Sequence, residues 1–345
     1  MSTAPLPAAL SKARRRTGWW PGLAAVLVVL AVWAGPAQAT ALRLVVGGLD
    51  KQVYLPVLLA QRLGLFAEQG LEVELIDDAS GVRAEEQLLT GAVQGVVGFY
   101  DHAIVLQARG KFVRSVVQFS RTPGEVVVAG ARATPLRSPA DFKGRALGVA
   151  GLGGSTHWLM QYLGQSHGVR VADMEFVPLG IGALVDALEQ GRVDAVMTTE
   201  PTATRLQRAG RGRQLLDLRT PEATAAALGG PYPGACLYMA SAWVEAHRPQ
   251  VQKLANALVR ALRYIDGHSA AELAMQVAER DLGGDRAAWV AALTAGKSMF
   301  IPDGRMPAEG PANVLRVLGQ AQRAVQGQPI DLARTFTTEF VDAAR

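Results

Sequence analysis

The residues best suited to chemistry lie in a glycine-rich loop near the middle of the chain. Residues 151–156 read Gly-Leu-Gly-Gly-Ser-Thr, between a predicted strand and a helix predicted to begin nearby. Glycines let a ligand approach the backbone, and a helix N-terminus offers free N–H groups with a partial positive charge. The loop therefore predicts a site for a sulfonate, phosphate or carboxylate group, unless it is an ordinary turn with a Ser or Thr cap. Its candidate ligand residues are Gly153, Gly154, Ser155 and Thr156.

Two carboxylates and three tyrosines could supply the rest of a binding site. Glu200 ends an apolar strand just before Pro201, where it could accept a hydrogen bond from a ligand amine or favour a helix N-terminus. Asp101 fits a helix N-cap as well as a ligand contact. Tyrosine rings and hydroxyls could line a cleft, although tyrosines are also common in partly buried structure. These additional candidates are Tyr54, Tyr100, Asp101, Glu200 and Tyr232.

The sequence shows binding groups without a recognisable catalytic set. Ser155 lacks the Gly-x-Ser-x-Gly context of a hydrolase nucleophile, because His157 stands where the second glycine belongs. The glycine-rich loop is not followed by the Gly-Lys-Ser/Thr of a nucleotide-binding loop. The five histidines lack the close helical spacing of a zinc motif. The sequence therefore predicts a binding protein, not an enzyme, with no cofactor and no metal.

Two similar supersecondary units position these residues, one hundred residues apart along the chain. Residues 88–97 and 188–197 each read as the end of an amphipathic helix, a glycine stop and a short buried strand. The order strand, helix, strand, helix, strand occurs twice with similar spacing, which predicts two α/β lobes with mostly parallel sheets. Two such lobes facing each other would enclose a cleft for a small solute.

The predicted boundaries of the lobes follow breaks in composition. Residues 131–144 are rich in Pro, Ser, Arg and Gly, and residues 229–234 read Gly-Gly-Pro-Tyr-Pro-Gly. We therefore assign residues 40–130 and 234–345 to the first lobe and residues 131–233 to the second. The C-terminal part of the chain reads as helical, and we expect this tail to pack on the first lobe.

The first 39 residues are typical of a cleaved export signal. A basic segment ending at Arg16 precedes the apolar run 22–34, and Ala37-Gln38-Ala39 offers a small-x-small cleavage site. The apolar run is shorter than the roughly 20 residues that span a membrane comfortably. We expect cleavage near Ala39 and a protein exported to the periplasm.

Removal of this segment leaves a nearly neutral protein. Four of the 35 Lys and Arg residues precede residue 40, which leaves 31 against 30 Asp and Glu. Because no cluster of basic and aromatic residues stands out elsewhere, nucleic acid is not an expected partner. Cys236 is the only cysteine, so we expect no internal disulfide and two lobes held together by core packing.

Several segments together resemble one family of exported proteins. They are residues 58–73, 88–98, 138–145 and 191–195, the first reading Leu-Leu-Ala-Gln-Arg-Leu-Gly-Leu-Phe-Ala-Glu-Gln-Gly-Leu-Glu-Val. From residue 42 to about residue 330 the chain resembles the periplasmic solute-binding proteins of ABC importers for nitrate, sulfonate, taurine and thiamine-pyrimidine precursors. The resemblance implies the two-lobed periplasmic-binding-protein fold of type II, a two-stranded hinge and a ligand between two Rossmann-like lobes.

The same resemblance implies where the ligand lies and what it is. The ligand-facing positions would be loops 48–54, 99–102, 153–157 and 199–200 together with Tyr232, a set that adds Asp50, His157 and Thr199 to the candidates. The implied function is capture of a sulfonate- or taurine-like organic anion or zwitterion by a monomer, which delivers it to an ABC permease in the inner membrane. A thiamine pyrimidine precursor or other aromatic ligand, an exported enzyme and a sensor module on this fold are the alternatives.

Overall fold

Two five-stranded sheets organise the chain, of which the computed structural model describes residues 41–78, 80–132 and 135–345. The strands are β1 (Leu42–Val46), β2 (Val73–Asp77), β3 (Gly95–Phe99), β4 (Val113–Gln118), β5 (Glu125–Gly130), β6 (Ala146–Val149), β7 (Glu175–Pro178), β8 (Ala195–Thr199), β9 (Gly212–Asp217) and β10 (Ala235–Ala240). The α-helices are α1 (Leu55–Arg62), α2 (Leu65–Glu68), α3 (Gly81–Leu89), α4 (Asp101–Ala108), α5 (Ser155–Ser166), α6 (Gly180–Glu189), α7 (Thr202–Arg208), α8 (Pro221–Leu228), α9 (Ser241–Ala246), α10 (Arg248–Gly267), α11 (Ala270–Gln276), α12 (Arg286–Gly296), α13 (Gly310–Ala321) and α14 (Glu339–Asp342).

The two sheets have the same topology. The first has the order β2-β1-β3-β10-β4 and the second the order β7-β6-β8-β5-β9. In each, three parallel strands are followed by one strand that runs antiparallel to its neighbours. The predicted two-lobed α/β fold is confirmed, and β3 and β8 of the sequence repeat occupy equivalent places. We call each sheet with its covering helices a lobe, the first containing β1 and the second β6.

The strand β5 lies in the second sheet, whereas the sequence analysis placed residues 125–130 in the first lobe. All six residues of β5 are buried, which suits its central position between β8 and β9. Its register pairs Glu125 with Thr199 of β8. The chain therefore changes sheets within residues 119–124 and not within residues 131–144. After the Gly-Gly-Pro-Tyr-Pro-Gly segment, β10 inserts between β3 and β4 of the first sheet.

The C-terminal helices pack on both lobes, whereas the expected contact was with the first lobe alone. The long helix α10 buries Leu254, Leu258 and Leu262, spaced four residues apart, and packs against α1, α2 and β4. The helix α13 packs against α5 of the second lobe, and α12 packs against α7. Val314 of α13 shares an apolar cluster with Trp158 of α5, which explains this second contact. The tail therefore bridges the lobes.

The structure also bears on three expectations from composition. Cys236 is a buried free thiol in β10. Within the described ranges, no helix combines the length and the apolar character needed to cross a membrane. The predicted export signal, residues 1–39, lies outside the described residues.

Candidate functional site

A cleft between the two lobes lies where several strands and helices end. The parallel strands β1, β3 and β6 run toward it, and such strand ends are the usual place for ligands in α/β sheets. The cleft holds about 70 Å³ of enclosed free space beneath an open mouth. The first lobe contributes Gly47, Lys51, Tyr54, Ser80, Gly81, Phe99 and His102, and the second contributes Glu125, Gly151, Gly154, Ser155 and Thr156.

Two helices direct their N-termini at this cleft. The helix α3 begins at Gly81 after Ser80, and α5 begins at Ser155 after Gly154. Among the described residues, no side chain caps the backbone N–H groups at the start of α5. Free N–H groups and the partial positive charge of a helix N-terminus favour an anionic ligand. The glycine-rich loop thus brings uncapped amides to the cleft, beside the start of a second helix.

Lys51 adds a basic side chain to the same wall. Its ammonium group lies 5.6 Å from the centre of the Tyr54 ring, and the described residues form no ion pair with it. Burial lowers the pKa of Lys51, against the attraction of Glu125, Asp50 and Asp77. A bound anion would offset the lost hydration and favour the charged ammonium.

Two aromatic rings form an apolar wall of the cleft. The rings of Tyr54 and Phe99 meet edge to face, with their centroids 6.2 Å apart. A Cβ atom at Gly47 would lie 2.9 Å from the Tyr54 hydroxyl, so the lack of a side chain there lets the tyrosine occupy its place. Burial holds the pKa of Tyr54 well above its usual range, and its hydroxyl therefore stays protonated. This wall can pack against the apolar part of a ligand.

Glu125 places a carboxyl group in the cleft. It is the first residue of β5, it is only 2% exposed, and its Oε2 atom has no hydrogen-bond partner among the described residues. Burial raises the pKa of Glu125 to about 8, although the attraction of Lys51 opposes this rise and Asp101 adds to it. Without a further partner, the Glu125 carboxyl is therefore largely protonated at neutral pH.

A buried histidine lies behind the start of α3. Nδ1 of His102 is hydrogen-bonded to Oε1 of Glu85, and the imidazole ring lies against Trp158 and Tyr238. Burial works to lower the pKa of His102, but the attraction and hydrogen bond of Glu85, helped by Asp101, outweigh it and raise the pKa. The ring lines the cleft near the helix N-termini, and the Glu85 carboxylate balances the charge of its protonated form.

Three predicted residues meet in a buried contact between the lobes. The Ser155 hydroxyl of α5 donates to Oδ1 of Asp101 at 2.8 Å, and the Tyr232 hydroxyl donates to Oδ2 at 3.0 Å. Asp101 belongs to α4 of the first lobe and is fully buried. Burial raises its pKa against the opposing effect of these hydrogen bonds. Of all the predicted residues, those that line the cleft are Tyr54, Gly154, Ser155 and Thr156.

Glu200 does not line the cleft. Its carboxylate accepts hydrogen bonds from the backbone N–H and the hydroxyl of Thr204, at 2.9 and 3.0 Å, and it forms an ion pair with Arg219. The side chain thus serves the start of α7, which was the alternative interpretation of this residue. Its carboxylate is already occupied by donors from its own lobe.

The other predicted residues also lie outside the cleft lining. The Tyr100 hydroxyl is hydrogen-bonded to Thr335, and Thr199 is buried opposite Glu125. The Gly153 N–H donates to Nδ1 of His157 at 3.1 Å, in a loop that borders a separate surface pocket. Asp50 is exposed next to Lys51.

Comparison with known proteins identifies the family of this chain. Residues 51–271 match the model of the family described as NMT1/THI5 like. The chain belongs to this family. Among solved structures, a protein from Bordetella bronchiseptica RB50 is 33% identical to this chain, with a TM-score of 0.83, over 88% of this chain and 96% of that one. No curated protein matches the sequence.

Two more distant structures share the fold of this NMT1/THI5-like chain. The alkanesulfonate-binding protein SsuA from Xanthomonas axonopodis pv. citri, solved with bound MOPS, is 18% identical with a TM-score of 0.69, over 86% of this chain and 98% of that one. The periplasmic nitrate-binding protein NrtA from Synechocystis PCC 6803 is 14% identical with a TM-score of 0.71, over 89% of this chain and 88% of that one. The predicted family resemblance and the periplasmic-binding-protein fold are thereby confirmed.

Sequence reasoning did not single out three charged or polar groups of this NMT1/THI5-like cleft, namely Lys51, His102 and Glu125. Lys51 and His102 lie inside loops 48–54 and 99–102, which the resemblance assigned to the ligand as segments. Glu125 follows Pro123-Gly124 and opens the apolar run Val-Val-Val-Ala. A charged residue at the very start of a buried strand was the signal that could have identified it.

Proposed function

We propose that this chain is the substrate-binding component of an ABC importer and captures a small organic anion or zwitterion, such as a sulfonate or a taurine-like compound. One observation carries the proposal: the N-termini of α3 and α5 and the ammonium group of Lys51 converge on one cleft between the lobes. These groups favour a negatively charged ligand head. Contacts from both lobes to that ligand would stabilise a closed hinge conformation.

The remaining parts of the proposal concern where the protein acts. We propose export to the periplasm, action as a monomer and delivery of the solute to a permease in the inner membrane, without chemical change of the solute. The fold shared with an alkanesulfonate-binding protein and a nitrate-binding protein supports this scheme. Three measurements check these parts. Secretion of the processed chain tests export, its mass in solution tests the monomer, and recovery of the unchanged solute tests delivery without chemical change.

A thermal-shift series on the purified protein tests the ligand class. The panel contains ethanesulfonate, taurine, nitrate, aminopyrimidines and aromatic carboxylates, because a ligand that binds only the folded state raises the melting temperature. The proposal expects a rise with small organic anions or zwitterions that is lost in Lys51→Met. Absence of any rise with such compounds, after removal of co-purified ligand, would contradict it.

The aromatic wall supports a second candidate ligand, an aminopyrimidine related to thiamine precursors. The rings of Tyr54 and Phe99 offer apolar surface that an aromatic ligand can pack against. This candidate expects the melting temperature to respond to aminopyrimidines and not to sulfonates. It also expects Phe99→Leu to weaken binding more than Lys51→Met does.

Two other functions on the same fold, an exported enzyme and a sensor module, would give different experimental results. An exported enzyme would convert a compound from the panel, which product analysis by mass spectrometry detects. A sensor module would form a stable complex with a membrane receptor in place of a permease. Recovery of unchanged ligand together with ligand-dependent transport in cells would support the importer.

A further inference from the structure

Glu125 has a buried oxygen atom that the fold leaves without a partner. The residue is 2% exposed and lines the cleft, and Oε2 is hydrogen-bonded to none of the described residues. Nearly all buried polar side-chain atoms in proteins have a hydrogen-bond partner in the protein or in ordered water, and a carboxyl oxygen beside a binding cleft can take that partner from a ligand. Glu200 differs from Glu125, because both of its carboxylate oxygens already accept hydrogen bonds from Thr204 of its own lobe.

The charged and polar neighbours of Glu125 do not supply that partner. Lys51 is near enough to stabilise the charged form of Glu125, but it forms no ion pair with it. Tyr232 is also near, and its hydroxyl donates to Asp101. Asp101 adds negative charge to this region and would itself repel an anion placed against Glu125.

The cleft therefore contains groups of opposite preference. Lys51 and the N-termini of α3 and α5 favour a negatively charged ligand group. Glu125, on which Asp101 also acts, favours a positively charged group, and an ammonium beside Glu125 would shift it to its charged form. An ammonium group supplies both the missing hydrogen-bond donor and the opposite charge, and such charge-assisted hydrogen bonds are the strong ones.

We propose that Glu125 accepts a hydrogen bond from a cationic amine of the bound solute, so that the solute is a small zwitterion with its acidic group at Lys51 and the two helix N-termini. This inference rests on the proposed function and narrows its ligand class. It assigns to Glu125 the amine recognition that was one of two interpretations of Glu200 from the sequence.

Matched pairs of probes that differ only in the amine test the inference. Titration calorimetry compares taurine with ethanesulfonate, and β-alanine with propionate, on the wild type, Glu125→Gln and Glu222→Gln. Glu222 is exposed on α8 and outside the cleft lining, so its variant controls for loss of one carboxylate. In at least one of the two pairs, we expect the wild type and Glu222→Gln to bind the amine-containing compound, taurine or β-alanine, at least tenfold more tightly than its amine-free counterpart. We expect Glu125→Gln to lose that preference, while it still binds the amine-free acid.

The outcomes separate this inference from the proposed function. Equal binding of the two members in every pair that the wild type binds, or an unchanged preference in Glu125→Gln, would overturn the inference and leave the anion-binding proposal standing. Binding of no acid in either pair, together with no response to the wider anion panel, would overturn both. The wild-type comparison can overturn the inference even if the glutamine variant does not fold.

Discussion

Replacement of Glu125 by glutamine should change how the stability of the protein depends on pH. Burial raises the pKa of Glu125 to about 8 from an ordinary value of 4.5. Between these values the folded state holds a proton that the unfolded chain has released, so the free energy of unfolding falls as the pH rises. The gap between the two pKa values corresponds to a loss of about 5 kcal/mol by pH 9. Glutamine cannot ionise, and the variant should lack this loss.

Urea unfolding of ligand-free protein at intervals from about pH 5 to pH 9 measures the effect. The groups that face Glu125 are Lys51, which opposes the rise in its pKa, and Asp101, which adds to it, together with the Tyr54 and Tyr232 hydroxyls. All of them remain in Glu125→Gln, but loss of the Glu125 charge also lowers the pKa of Lys51, so the difference between the curves reports Glu125 together with its coupling to Lys51. The wild type and Glu222→Gln should lose several kcal/mol relative to Glu125→Gln, mostly below about pH 8. Parallel curves for the wild type and Glu125→Gln would refute the reasoning from burial.

Three further substitutions separate binding from stability. Lys51→Met should weaken binding of an anionic ligand tenfold or more, about 1.4 kcal/mol, in calorimetry, whereas an unchanged affinity would remove Lys51 from the site. Glu200→Gln should lower the free energy of unfolding in urea by about 2 kcal/mol, because the buried Arg219 loses one of its two carboxylate partners. Its ligand affinity should stay within about twofold of the wild type, and a tenfold loss would return Glu200 to the site. Tyr232→Phe removes a hydrogen bond to the buried Asp101 and should cost about 1 to 3 kcal/mol in urea unfolding, whereas no change would show that this contact does not stabilise the fold.

Local sequence patterns were enough to predict the fold class but not which sheet each strand joins. The repeated helix, glycine and strand pattern at residues 88–97 and 188–197 corresponds to β3 and β8 in equivalent positions of two equivalent sheets. The strand β5 was assigned to the wrong lobe, because a strand buried on both faces reads the same wherever it pairs. Its partners, β8 and β9, begin 70 and 87 residues after the start of β5, and no local pattern identifies partners at that distance.

The two carboxylates, Glu125 and Glu200, show why a binding site is harder to predict than a fold. Both lie beside the same strand end, since Glu125 pairs in register with Thr199 and Glu200 is the next residue. Thr204, four residues beyond Glu200, supplies donors that the sequence pattern of a helix start could have suggested. Glu125 differs in what it lacks: Lys51 approaches from the other lobe without pairing, and no local donor follows it. A missing partner has no sequence signature, because it depends on every residue that folding brings near the group. The contrast between Glu125 and Glu200 suggests a rule: a carboxylate that finds no hydrogen-bond donor in its own local structure is the better candidate for a ligand contact. The Glu125 and Glu200 variants test this rule within one protein.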